Sequence, residues 1–294
     1  MSNIKIQSIQ RGQFQIFFGN KKLLSLRIPF WRFPYFGKIK KPKFGISYSV
    51  FDGEELLETS IKAIRSQVDY INIVYQTTSW HGKKAGESLM ITLDKIKKLG
   101  LVDEIIFYEP DLTKKPQVNE TEKRNIGLKA AVKAGVNYFM TIDTDEFYLE
   151  NELIDAKEFI IKNKITHSYC NQVAYYLKPT ARIIDTARGC HVPFFSRVDY
   201  LSKLGSEKNC PCLCDPTRRM YDRIGSKHYV LHMVSMHHMN NIRINLEEKY
   251  KNSSSSRYSN VDVDIYYKIP EKKLVEVENY FNINIQSDSN KNSK

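Results

Sequence analysis

The sequence predicts an α/β fold, a mostly parallel sheet flanked by helices, preceded by an N-terminal β-hairpin extension. Three observations carry that prediction. Between residues 44 and 142, apolar strand-like runs alternate three times with helix-like 3.6-residue patterns, and a fourth strand closes the series. Such alternation requires crossovers, which are right-handed and lay the strands parallel. Polar residues gather where these strands stop: Asp52, Thr77 and Asp143-Thr144-Asp145. In sheets of this kind, ligands bind beyond the carboxyl ends of the strands.

Taken in order, Phe14, Ile16 and Phe17, a turn at Gly19-Asn20 and the run Leu23 to Ile28 read as the hairpin. Residues 30 to 43 mix aromatics with lysines. They read as a linker whose aromatics fold back on the core, with an interfacial membrane contact as the other reading. Phe44 to Phe51 is a strand, and Leu57, Ile61, Ile64 and Val68 mark one face of a helix. Tyr70 to Tyr75 is a second strand, Glu87 to Leu99 a helix closed by Gly100, and Glu104 to Tyr108 a strand stopped by Pro110. A helix over Thr121 to Ala134 ends at Gly135, and Tyr138 to Ile142 runs into the acidic segment. Beyond Asn151 the pattern loosens. A helix is expected over Asp155 to Lys164, strands near Ser168 to Leu177, Val192 to Arg197 and Tyr229 to Met236, and helices again at Ile242 to Lys251 and Glu271 to Tyr280. Ser253 to Ser256 reads as a connector and Gln286 to Lys294 as a disordered tail. The resulting division is 1–43 extension and linker, 44–256 main domain with halves 44–150 and 151–256, 257–285 helical segment, and 286–294 tail.

Composition narrows the function. The 294 residues are 41% hydrophobic and 27% charged, as in soluble globular chains. Neither a bilayer-length apolar run nor a signal peptide is expected, which places the chain in the cytoplasm, with peripheral contact on the inner face of the membrane compatible with its charge. Five cysteines, an odd number, do not suggest a disulfide framework, and Cys210, Cys212 and Cys214 are spaced too tightly for the usual zinc knuckle. Lysine and arginine exceed acids by 45 to 33, which favours phosphorylated or polyanionic partners. The basic residues are scattered and no nucleic-acid motif occurs, so no nucleic-acid partner is expected.

Asp143 and Asp145 follow the apolar strand Tyr-Phe-Met-Thr-Ile. Carboxylates two apart at a strand end can share a side and reach one hard cation, Mg²⁺ or Mn²⁺, which would neutralise a diphosphate leaving group. A solvated turn is the plain alternative. Phosphatases of the haloacid dehalogenase type also use Asp-x-Asp after a strand, but that strand is their first, and Phe147 stands where they carry Thr or Val.

Glu122-Lys123-Arg124-Asn125-Ile126-Gly127-Leu128 through Ala134-Gly135, then Tyr138 to Phe147 ending Asp143-Thr144-Asp145-Glu146-Phe147, resemble the GT-A fold glycosyltransferases, especially the family 2-like group. Asp215-Pro216-Thr217-Arg218-Arg219, Met236-His237-His238-Met239, Arg243 and Lys251-Asn252-Ser253-Ser254 are similar to that group as well, so the resemblance covers about residues 44 to 256. It implies a Rossmann-like sheet and transfer of a sugar from a nucleoside diphosphate, UDP foremost, to a saccharide or lipid-linked acceptor in glycoconjugate or surface polysaccharide synthesis. It implies Asp143 and Asp145 at the metal and donor diphosphate, with His238, or His237, as a third ligand. Arg124 would approach the donor, and Phe51, Asp52, Gln76 and Thr77 would hold base and ribose. Imidazole in the shell favours Mn²⁺ over Mg²⁺. An inverting transfer needs a carboxylate base. Asp215 is the candidate, with Asp222 and Glu207 competing, and the Glu-Asp pair usual in inverting relatives is missing. Two alternatives are a nucleotidyltransferase, disfavoured by the acidic Phe51-Asp52-Gly53-Glu54-Glu55, and a non-catalytic basic nucleic-acid- or membrane-binding protein.

Overall fold

The structure, a computed structural model, describes residues 41–184, 191–206, 211–244 and 273–285, the isolated residues Tyr35, Ile39, Leu246 and Lys249, and the strand backbones at 4–10, 13–18 and 21–27. The Gly19-Asn20 turn, Glu207, Cys210, the Ser253–Ser256 connector and the 286–294 tail lie outside the described residues. No described helix is long and apolar enough to cross a membrane.

The N-terminal strands β1 (Ile4–Gln10), β2 (Gln13–Phe18) and β3 (Lys21–Arg27) form an antiparallel sheet. The expected hairpin is its β2–β3 pair, and β1 is an addition. The main sheet begins with β4 (Phe44–Val50), followed by α1 (Glu54–Ile64), β5 (Tyr70–Tyr75), α2 (Glu87–Lys98), β6 (Glu104–Phe107), α3 (Pro116–Lys133) and β7 (Tyr138–Asp143). Their order is β6-β5-β4-β7, all parallel. The chain therefore grows outward from β4 in one direction and then returns to its other side. That reversal creates a crevice between the carboxyl ends of β4 and β7. The second half adds β8 (Glu146–Phe147), α4 (Glu150–Asn163), β9 (His167–Tyr176), β10 (Lys178–Ile183), β11 (His191–Arg197), β12 (His228–Asn241) and β13 (Leu274–Glu276). Here the sheet becomes mixed: β11 is antiparallel to β7 and β9, β10 to β9 and β13, while β12 runs parallel to β9 and antiparallel to β8.

Side-chain alternation assigns the two faces. In β4, Phe44, Ile46, Tyr48 and Val50 join a core with Leu57, Ile61 and Ile64 of α1, Leu89, Leu93 and Ile96 of α2, and Leu153, Ala156 and Ile160 of α4. The intervening Gly45 and Ser47 are small because a Cβ on Gly45 would meet Val136 at 2.5 Å and because α3 lies almost on top of Ser47: a Cβ on Gly127 would meet Ser47 Oγ at 1.9 Å. Asn72 Nδ2 donates to the Gly127 carbonyl at 2.9 Å across the same contact. Helix α3 starts at Pro116, earlier than the apolar pattern suggests, because Asn119, Lys123, Arg124 and Asn125 are themselves buried.

Two sequence expectations are corrected. Residues 274–276 form the edge strand β13 rather than part of a helix over Glu271 to Tyr280. Ile242 to Ile244 lie in no helix, while Leu246 and Lys249 are helical, so the helix expected over Ile242 to Lys251 begins after Ile244. Residue Tyr35, from the aromatic linker, does fold back on the core, with its ring under Arg223 at 4.4 Å and Arg197 at 5.2 Å.

Gly127→Ala is expected to destabilise the protein by about 1–3 kcal/mol despite alanine's higher helix propensity, because overpacking outweighs that gain. Urea denaturation reads the loss, and Ser47→Gly in the same chain should recover part of it.

Candidate active site at the β4–β7 crevice

Strand alternation brings Phe139 and Thr141 to the α3 face of β7, and Asp143 follows them. Arg124 comes up from α3, nearly inaccessible, and donates to Thr141 Oγ1 at 3.1 Å, Asp143 Oδ1 at 3.0 Å and Glu120 Oε1 at 2.6 Å. Arg218, from a single 3₁₀ turn at Pro216–Arg218, reaches Asp143 Oδ2 and lies 2.7 Å from Glu146 Oε1. Asp143 is thus held by two guanidinium groups. Burial opposes its ionisation, but Arg124 and Arg218 outweigh that and hold its pKa low. Glu146 shifts the other way, raised by burial and by the neighbouring Asp143 against the pull of Arg218.

Strand β7 ends at Asp143, so the two-residue alternation stops there and Asp145 does not follow Asp143's direction. Asp145 is buried and faces the late part of the chain. Its Oδ2 accepts from Arg243 Nη2 at 2.7 Å and from Lys249 Nζ at 2.6 Å. Burial would raise its pKa, yet Lys249, Arg243 and His238 override this and hold it well below the usual carboxylate range. Lys249 moves downward through burial, against the pull of Asp145. Short strand β8 positions the histidine: its Glu146 and Phe147 pair with His238 and His237 of β12, and Met239 N donates to Asp145 O at 2.8 Å.

His238 is the histidine that reaches the acids. Its Nε2 is 3.6 Å from Asp145 Oδ1, and the Gln172 side-chain amide fixes the ring through Nδ1 at 2.8 Å. Its neighbour His237 packs instead against Phe281 and bonds Tyr175 OH through Nδ1 at 2.7 Å, with burial pushing its pKa down to about 4. Two ligands of one octahedral ion stand about 3 Å apart. Asp145 Oδ1 and His238 Nε2, at 3.6 Å, would have to draw slightly closer to share a divalent cation. Asp143, engaged by Arg124 and Arg218, does not converge with them.

The predicted donor residues divide. Phe51 and Asp52 line a pocket of about 240 Å³ with Gly53, Gly86, Arg243 and Lys249. Its tightest point is Gly53, at φ 76°, where a Cβ would lie 1.3 Å from Arg243 Nη1. Burial raises the Asp52 pKa, with Arg243 and Lys249 opposing. Thr77 borders this region through its carbonyl, which accepts from Ala85 N at 2.9 Å. Gln76 is fully buried and donates to Thr78 O at 2.7 Å, leaving its Oε1 unpartnered. Arg124, expected to approach the donor, is committed to Glu120, Thr141 and Asp143 and acts here by orienting Asp143.

Asp215 caps its 3₁₀ turn, accepting from Thr217 N at 2.8 Å and Thr217 Oγ1 at 2.9 Å, and sits 3.5 Å from Arg218 Nε. Pro216 and Thr217 form one wall of a second cleft of about 640 Å³ along α3, with Tyr108, Thr121, Asn125 and Lys203. The competing base Asp222 lies elsewhere, 2.8 Å from His228.

Four cations escaped the sequence reading as site residues: Arg218, Arg243, Lys249 and Lys123. Lys123 is buried beneath the crevice, donates to Val50 O at 2.7 Å and lies 5.5 Å over the Trp80 ring; burial and then Arg124 lower its pKa to about 7. Lys123, Arg218 and Arg243 were visible as parts of motifs. Nothing local singles out Lys249, whose role depends on tertiary burial.

No family model matches the chain, and no curated protein matches it. Among solved structures it is similar to S. aureus TarS 1-349, at 15% identity over 45% of this chain and 36% of that one, TM-score 0.34. The same protein in complex with UDP-GlcNAc gives 15% identity, 47% and 39% coverage and TM-score 0.33. GalNAc-T7 with UDP, GalNAc and Mn²⁺ gives 12% identity, 78% and 50% coverage and TM-score 0.42. The chain thus spans half or less of the length of each.

Asp145→Asn should cost about 3–5 kcal/mol at pH 7, since Arg243 and Lys249 lose their buried counter-charge. The ionised Asp145 stabilises the fold above its unfolded pKa of about 3.9, and this is lost as pH falls through its lower folded pKa. Urea denaturation at stepped pH should show the difference between wild type and variant shrinking below about pH 4.

Proposed function

We propose that the chain is a glycosyltransferase that takes a sugar from a nucleoside-diphosphate donor bound in the β4–β7 crevice. One observation carries this reading: at the switch point of a parallel sheet, the buried Asp145 and Glu146 and the half-buried Asp52 and Asp143 are interleaved with the cations Arg124, Arg218, Arg243 and Lys249, and Asp52, Arg243 and Lys249 of this cluster line an open pocket. A diphosphate can exchange into such a cluster, because it offers Arg243 and Lys249 the negative charge that Asp145 supplies in its absence. Asp145 Oδ1 and His238 Nε2 would then hold Mn²⁺ or Mg²⁺. Bound there, the ion supplies charge neutralisation for the departing diphosphate. The remaining work falls to the chain. Arg124 and Arg218 hold Asp143 against the crevice, Phe51 and Asp52 border the base and ribose, and Gly53 leaves room for the Arg243 guanidinium beside the β4 end. We assign the acceptor saccharide or lipid-linked saccharide to the larger cleft, with Asp215 as the base that takes its hydroxyl proton. The basic surplus suits an anionic donor and a peripheral approach to lipid-linked acceptors at the inner membrane face. The acidic β4–α1 turn disfavours nucleotidyl transfer, in which that turn would have to cradle phosphates.

Calorimetric titration with UDP should show binding strengthened by Mn²⁺, at least tenfold weaker in Arg243→Ala and no longer metal-responsive in Asp145→Ala. Absence of binding by UDP and by every other nucleoside diphosphate would refute the donor site. Asp215→Asn should lower kcat by about 10²–10⁴-fold while leaving UDP affinity unchanged; an unchanged kcat would remove Asp215 from the chemistry.

A further inference from the structure

A second polar cluster lies at the other end of the sheet. Strands β9 and β12 are parallel and in register from their first residues, so His167 and His228 are direct neighbours. Their ring centroids are 5.0 Å apart. The loop before β12 brings in Asp222. Its Oδ1 is 2.8 Å from His228 Nε2 and 3.6 Å from His167 Nε2, and all three atoms lie within 4.8 Å of one another. Among the described residues, this is the group of three or more His, Cys, Asp or Glu side chains whose ligand atoms converge in this way. Ser196 pairs with both Phe139 and His167, which sets His167 level with the start of β7, away from Asp145 beyond its end.

Three features set this cluster apart from an ordinary ion pair. Asp222 Oδ1 is buried and has no hydrogen-bond partner, so its 2.8 Å approach to His228 is not an N–H···O bond. The separations of 2.8 and 3.6 Å bracket the edge of about 3.3 Å between adjacent ligands on a tetrahedral zinc ion. One outer atom is set as a metal-bound imidazole requires: His228 Nδ1 faces Tyr169 OH at 3.1 Å, which turns Nε2 inward. The His167 ring is buried. Ser226 Oγ and Tyr35 OH stand 3.3 and 3.5 Å from its Nε2. The nearest guanidinium, Arg223, is already neutralised by Asp199.

We propose that His167, His228 and Asp222 bind one zinc-class divalent cation, a site separate from the donor crevice that staples β9, β12 and the preceding loop together. Two imidazoles and one carboxylate select a borderline ion such as Zn²⁺ or Co²⁺ over Mg²⁺ or Ca²⁺. The fourth position falls to water or to a neighbouring hydroxyl. This proposal does not depend on the glycosyltransferase reading.

The test is titration of chelator-treated full-length protein with Co²⁺, followed by its visible ligand-field absorption, and with Zn²⁺, followed by the melting temperature. One equivalent of Co²⁺ should give an intense band of tetrahedral type, and Zn²⁺ should raise the melting temperature. Asp222→Asn and His228→Asn, both at part-exposed side chains, should weaken Co²⁺ binding at least 100-fold. Tyr169→Phe, which keeps all three ligands, should weaken it about tenfold. Absence of the band from the wild-type protein would overturn the proposal. So would its survival in Asp222→Asn and His228→Asn.

Discussion

An ionised carboxylate taken out of water costs several kcal/mol unless positive charge is folded in beside it. Asp145 meets that requirement with residues far along the chain: Arg243 is 98 positions away and Lys249 is 104. The second half of the molecule must therefore return to the end of β7 for the first half to be stable. The two-residue strand β8 gives that return its register, since its pairing with β12 aligns Glu146 with His238. The crevice is consequently a closure between halves, as well as a feature of the parallel sheet.

Much of the first half was legible because β4, β5 and β7 are buried on both faces and α1 and α2 are amphipathic. Strand β5 falls where the apolar run Tyr70 to Tyr75 predicts it, and α2 is one residue shorter than the pattern suggests. The start of α3 was missed for a physical reason: its buried face is polar, carrying Asn119, Lys123 and Arg124, and a search for apolar periodicity passes over it. The strands β8 and β13, two and three residues long, are too short to show any period. Glu271 to Tyr280 looked helical from its spacing, yet Leu274 to Glu276 complete a sheet edge against β10, a tertiary preference that local sequence does not carry.

Legibility of the site was uneven in the same way. Asp143, Asp145 and His238 could be named from motifs, and so could the pocket-lining Phe51 and Asp52. The two aspartates meet different partners, because the strand ends at Asp143 and its alternation ends with it. Of the cations that balance them, Arg124, Arg218 and Arg243 stood in motifs and Lys249 did not. A lysine such as Lys249 reads as an ordinary solvated charge until the fold places its ammonium 2.6 Å from Asp145.

Strand β12 carries His228 at its start and His238 near its end, and β9 lies beside it at both places. Between Leu231 and Ser235 the pairing slips: β9 advances one residue, from Cys170 to Asn171, while β12 advances four. Side chains alternate along a strand, so the parity of that slip decides which face the later residues present. The irregular stretch thus works as a phase setter between two clusters that share no residue. A variant lengthened by one residue there could keep His228 beside His167 yet turn His238 away from Asp145. One lengthened by two could preserve both, so this segment is where the two ends of the molecule are free to diverge.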